Sequence, residues 1–128
     1  MRDISQKIGV VQAVAPAVLS ATTTSDPIDL RGFESAAIVV NTGAIAGEGD
    51  FTAKVQESDT TTGGDFTDVA PDDLIGAFPA SLAANAAAKV GYIGHKRHVR
   101  VVLSKNGGTS IAASALVVKG NAFERPVA

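Results

Sequence analysis

The strongest constraint on this chain is the shape of its apolar runs, which are short, rich in β-branched residues and separated by glycine-rich turns. Alternation with a period of two belongs to strands, whereas a helix needs apolar residues three and four apart over a longer stretch. Residues 98–104 show the pattern most plainly. Val99, Val101 and Leu103 fall on one side and His98, Arg100 and Val102 on the other, which predicts a half-buried strand with a partly charged outer face. Lys105-Asn106-Gly107-Gly108 follows, where Asn-Gly takes positive φ at little cost, and the run from Ile111 to Val118 then returns. Together they predict a hairpin.

The same reading predicts strands over residues 8–14, 18–24, 35–41, 51–57, 88–93 and 111–119, with exposed loops at 41–50 and 59–65. Two stretches suit helix: Pro71 to Gly76 as a single turn with acids at its start, and the alanine-rich segment from Pro79 to Ala87. The fold class is therefore all-β, an antiparallel sandwich or barrel of about seven to eight short strands with at most one or two short helices.

A chain of 128 residues makes one domain and buries roughly two thirds of its unfolded surface. With 22 alanines, five phenylalanines, one tyrosine and no tryptophan, its core must be aliphatic. Residues 25–128 carry the sandwich. Residues 1–24 hold few charges and are interrupted by Pro16, and they read in two ways: as an extended N-terminal arm that pairs with the edge of a neighbouring sheet, or as the first hairpin of the same sandwich.

Composition closes off several chemistries. The absence of cysteine excludes a disulfide scaffold, a zinc ribbon, a thiol nucleophile and an iron–sulfur site. No apolar run approaches the roughly 20 residues of a spanning helix, so no membrane role is expected. Asp3, Ser5 and Gln6 interrupt the layout of a secretory leader. His95 and His98 lie three residues apart among cations, on opposite faces of a strand, and read as solvated turn and strand-surface residues.

No serine lies in a Gly-x-Ser-x-Gly elbow, and neither Gly63-Gly64 nor Gly107-Gly108 continues into a phosphate-binding loop. A non-enzyme with no catalytic residue, no cofactor and no metal is expected. Asp59, Asp65, Asp68, Asp72 and Asp73 leave one choice open, a solvated acidic loop or a loop around a cation such as calcium, though without the spacing of a helical calcium hand.

The net charge of −2 conceals a division along the chain. Residues 26–73 hold eleven acids against Arg31 and Lys54, a net −9, while residues 74–128 hold seven bases against Glu124, a net +6. Such a split fits opposite patches that lock together within one chain or meet between copies. Nucleic acid is not an expected partner, because the basic cluster Lys96-Arg97-His98-Arg100 is short and has only Tyr92 beside it for stacking.

Four stretches carry a resemblance to a known group: residues 29–36 (DLRGFESA), 55–59 (VQESD), 66–69 (FTDV) and 91–102 (GYIGHKRHVRVV). They resemble small proteins encoded in the head gene clusters of tailed bacteriophages and related prophages, over roughly residues 29–105. His98 stands where tyrosine is commoner in that pattern. The resemblance implies a structural virion protein, a capsid decoration (cement) protein that binds the outside of an icosahedral head. Its implied partners are the major capsid protein and copies of itself, as a homotrimer, and its implied location is the capsid exterior, with assembly in the host cytoplasm. A neck or tail role, as a head-completion or tail-tube protein, and a carbohydrate-binding sandwich are the alternatives. The candidate contact residues are Arg2, Asp3, Ile4 and Lys7 near the N-terminus, Glu57, Asp59, Asp72 and Asp73 from the acidic middle, and Tyr92, Lys96, Arg97 and Arg100 from the basic part.

Overall fold

The structure, a computed structural model, describes residues Asp3–Phe123. Arg2, with Glu124 and Arg125, lies outside the described residues. Two antiparallel sheets enclose one core. Sheet A contains β1 (Gly9–Leu19), β10 (Ser110–Ala122), β4 (Phe33–Ala46), β8 (Ala87–Tyr92) and β7 (Leu74–Ile75), hydrogen-bonded in that order. Sheet B runs β2 (Thr23–Thr24), β9 (His98–Gly107), β5 (Asp50–Ser58), β6 (Thr67–Asp68), and β3 (Ile28–Asp29) also pairs with β9. The all-β antiparallel expectation holds, with ten strands of which four have two residues, and with three single 3₁₀ turns as the helical content of the described residues.

The core sits where the inward residues of the two sheets meet. Ile38, Val40, Val90 and Val117 of sheet A and Phe51, Val99, Val101 and Leu103 of sheet B are fully enclosed. Burying side chains of this kind contributes roughly 1.5–3 kcal/mol each. The aliphatic core read from composition is what is found, with Phe51 and Tyr92 as its aromatic members.

Four local expectations are corrected. The predicted hairpin at Lys105–Gly108 is a corner, because β9 ends in sheet B and β10 begins in sheet A. The predicted loop over 41–50 is mostly strand: β4 continues to Ala46 and only Gly47–Gly49 turns, so β4 and β5 also change sheets there. The two corners pack together. Asp50 pairs with Gly107 in one sheet, Ser110 pairs with Ala46 in the other, and the Thr109 amide donates to the Gly47 carbonyl at 3.2 Å. Gly108 has φ +72° and a Cβ there would stand 2.2 Å from the Glu48 carbonyl oxygen, so the crossing requires glycine on both counts.

The predicted helix over 79–87 does not form, because its backbone donors are spent on the sheets: the Leu82 amide bonds Phe51 O at 2.8 Å and the Asn85 amide bonds Gly43 O at 2.9 Å. The predicted strand over 18–24 is also redrawn. β1 runs through Pro16 to Leu19, which an edge strand tolerates since one side of it needs no N–H, and Thr23–Thr24 belongs to the opposite sheet.

Candidate functional site

The basic stretch from Tyr92 to Arg100 and the acidic residues come together at one end and one face of the sandwich, and most of their polar groups are engaged within the chain. Glu57 occupies an inward position at the end of β5, where the pleat places it behind Phe51, Ala53 and Val55. There it meets Tyr92 from the opposite sheet. The Tyr92 hydroxyl donates to Glu57 Oε1 at 3.0 Å and accepts from the Lys96 amide at 3.1 Å, with both side chains buried. Burial above all, with the neighbouring Glu57 charge adding to it, holds the Tyr92 phenol well above its ordinary pKa.

This clamp ties sheet A to sheet B and pins the turn that follows β8. In that turn Lys96 Nζ lies 3.0 Å from Asp59 Oδ2, and the hydrogen bond from Lys96 holds the Asp59 carboxyl below its usual range. Arg97 makes a forked contact to Asp29, Nε to Oδ1 at 3.0 Å and Nη2 to Oδ2 at 2.8 Å. The guanidinium lowers the Asp29 carboxyl pKa further than for the other acids. The Leu30 amide adds a bond to the Arg97 carbonyl at 2.9 Å.

On the outer face of sheet B, Arg100, Gln56 and Asp68 stand in one row across β9, β5 and β6. Arg100 Nε donates to Gln56 Oε1 at 2.7 Å, Gln56 Nε2 donates to Asp68 Oδ1 at 2.8 Å, and Lys54 Nζ approaches the same oxygen at 3.3 Å. The guanidinium also lies 4.4 Å from the centre of the buried Phe66 ring, carried there by the loop after β5. A cleft of about 320 Å³ opens beside this region, between the segment from Leu30 to Ala36 and the turn from Gly94 to Arg97.

The remaining candidates fall elsewhere. Asp3 caps the first 3₁₀ turn through Ser5, Ile4 is 67% exposed, and Lys7 ends that turn in solvent. Asp72 and Asp73 sit on the 3₁₀ turn before β7, and the Asp73 carbonyl accepts from the Ile93 amide at 2.8 Å. Among the described residues no three His, Cys, Asp or Glu side chains converge as metal ligands. Asp65 accepts from Thr60 instead, at 2.7 Å.

His98 is a correction. It was expected at a solvated strand surface, yet it is buried with Nδ1 unpartnered, because β9 is a central strand with Asp29 on one side of it and Ser58 on the other. From the acidic middle, sequence reasoning singled out Glu57, Asp59, Asp72 and Asp73 as contact residues. It missed Asp29 as the partner of Arg97, for which a single isolated acid gave no signal, and it missed Gln56 as the link between Arg100 and Asp68.

No protein-family model matches the chain, and no curated protein matches it in sequence. Its fold resembles that in the crystal structure of the SPBc2 prophage-derived protein YomS, with TM-score 0.52 and 9% identity over 88% of this chain and 95% of that one. Looser likenesses extend to the infectious bursal disease virus Gx strain structure, at TM-score 0.45 and 17% identity over 94% of this chain and 33% of that one. Another is to a Bacillus endospore appendage subunit, at TM-score 0.44 and 10% identity over 95% and 96%. At 9% identity the likeness to YomS shows a shared fold. No helix among the described residues is long and apolar enough to cross a membrane.

Proposed function

We propose that this chain is a structural protein of a phage particle, a capsid decoration protein that binds the outer surface of the assembled head and stabilises it without catalysis. The observation that carries the reading is the sandwich fold shared along nearly its whole length with a prophage-derived protein. The stretches that resemble phage-head proteins carry side-chain contacts of the fold: Gln56 and Glu57 on β5, Phe66 over Arg100, and Tyr92 to Arg97 around the clamp. In this reading the motif residues are a frame. They fix the loops at one end of the sandwich so that a rigid surface meets the major capsid protein, and many modest contacts repeated over the shell add up through avidity.

The burial of Tyr92, the only tyrosine of the chain, removes the stacking platform that a sugar-binding sandwich would use. The test is to mix the recombinant protein with bare heads and measure sedimentation with them and the temperature of DNA release. Binding with a raised release temperature is expected, and heads that sediment without the protein would overturn the reading. Copy number separates it from a neck or tail role: decoration requires hundreds of copies per particle, whereas a ring at the neck requires about six to twelve.

A further inference from the structure

The outer face of sheet A is apolar and almost free of charge. Pairing registers place Val10, Val118, Ala37, Gly91 and Ile75 in one row across all five strands. The next row holds Gln12, Leu116, Val39 and Lys89. Lys89 carries the one charge in these two rows. Val10 and Ile75 are 58% and 64% exposed, and none of the outward residues of the two rows is buried. Ala37 and Gly91 add no bulk at the middle of the first row, so a second sheet can approach to the usual packing distance of about 10 Å.

We infer that this face packs against the same face of a second copy of the chain, related by a two-fold axis. Three features select that occupant. First, a two-fold contact sets this face against an identical one, and with Lys89 as the one charge in its two rows it brings few like charges together. The other sheet presents Lys54, Arg100 and Asp68 on its outer side, which leaves this face as the self-complementary one.

Second, the size fits. Strands of 11, 13 and 14 residues, at about 3.3 Å per residue and 4.8 Å between strands, together with β8 offer on the order of 600 Å² per copy. That sits at the upper end of what monomers leave exposed and at the lower end of specific interfaces. Third, growth along the edge is blocked: β1 carries Pro16 and register shifts between Gln12 and Val14 and between Val14 and Ala17, features that disfavour strand addition. The face, and not the edge, is what remains available.

We place the axis along the central strand pair, where the long strands overlap most, and this gives a contact to test. A two-fold axis parallel to the strands and midway between β10 and β4 sets β8 of one copy over β1 of the other, so Lys89 lies against Gln12 of its mate in the second row. Two copies then replace the three that the family resemblance implies.

The inference is independent of the capsid reading and its test separates the two. Sedimentation equilibrium of the full chain is expected to show one copy passing to two in the micromolar range, since the face lies at the small end of specific interfaces, where weak and transient contacts are found. Leu116→Asp, at an outward position, should weaken pairing at least tenfold while far-UV circular dichroism stays unchanged. Gln12→Glu should tighten it several-fold and Gln12→Lys should loosen it, since symmetry repeats each new pair twice. A wild-type chain that stays single at about 200 μM, that forms three copies, or that pairs equally well with Leu116→Asp, overturns the inference. If the chain is single and Leu116→Asp abolishes binding to bare heads, the face belongs to the shell, and decoration survives while the pair does not. A pair that forms with no binding to heads has the opposite meaning.

Discussion

The outer faces of the two sheets differ although their inner faces are built alike. On sheet B the outward residues His98, Val102 and Ser58 are buried, and Arg100, Gln56 and Asp68 bond across the strands beneath Phe66. On sheet A the outward rows Val10, Val118, Ala37, Gly91, Ile75 and Gln12, Leu116, Val39, Lys89 hold no buried residue. Strand patterning is the same in both, since each sheet alternates with a period of two. The difference comes from the loop after β5, which returns over sheet B and places Phe66 and Gly63 against Arg100. One face is covered in part by its own chain and the other is open to solvent.

If that contrast lies only in the outer faces, the layer beneath must respond equally. Ile38→Ala under face A and Leu103→Ala under face B, both fully buried, should each cost about 2–5 kcal/mol. Chemical denaturation measures this, and a transition that splits in either variant would break the picture of one core shared by two sheets.

Tyr92→Phe tests what joins the sheets. It removes the donor to Glu57 and the acceptor for the Lys96 amide, and a loss of about 1–3 kcal/mol is expected. The wild-type clamp also has a pH signature. The folded phenol has a raised pKa, so its contribution is complete below the unfolded value of about 10 and is lost as pH rises above it. Because Tyr92 is the only tyrosine, phenolate absorbance near 295 nm reads it alone and should appear together with unfolding. Phenolate formation in the intact fold would show that the ring is not enclosed.

Phe66→Ala sharpens the contrast by opening face B. It deletes a buried ring and its contact with Arg100, for a loss of about 1.5–3 kcal/mol. Binding of a hydrophobic dye should rise over wild type, and an unchanged signal would mean that the loop does not cover that face.

Much of this was legible in the residues. The alternation from His98 to Ser104 marked β9 correctly, and the charge division set out the two groups from which Lys96 and Asp59, and Arg97 and Asp29, come together. What escaped has physical causes. Asn-Gly-Gly after β9 signals a reversal of the chain, but a turn fixes local direction and not whether the returning strand stays in the same sheet. Here the paired corner at Gly47 and Gly108 sends it to the other. The alanines from Ala83 to Ala88 favour helix locally, yet the Leu82 side chain and the Leu82 and Asn85 amides contribute more by closing the core. Asp29 was hidden because its partner is 68 residues away in sequence.

That ion pair gives the smallest expected effect and the finest test of how face B is held. Asp29 is roughly half exposed, 45% by side chain, so its forked contact with Arg97 is screened by water and is worth at most about 1 kcal/mol. Asp29→Asn should lower the unfolding midpoint slightly near neutral pH, and less in about 1 M salt. The Arg97 guanidinium depresses the folded pKa of Asp29, so the contribution is present above the unfolded value of about 3.9 and lost as pH falls below it. The gap between wild type and variant should therefore narrow from about pH 5 downward. A gap that is constant with pH would mean that the substitution acts through packing or turn geometry and not through the carboxylate's charge. The basic turn would then be held by the Leu30–Arg97 backbone bond and Tyr92, without help from charge.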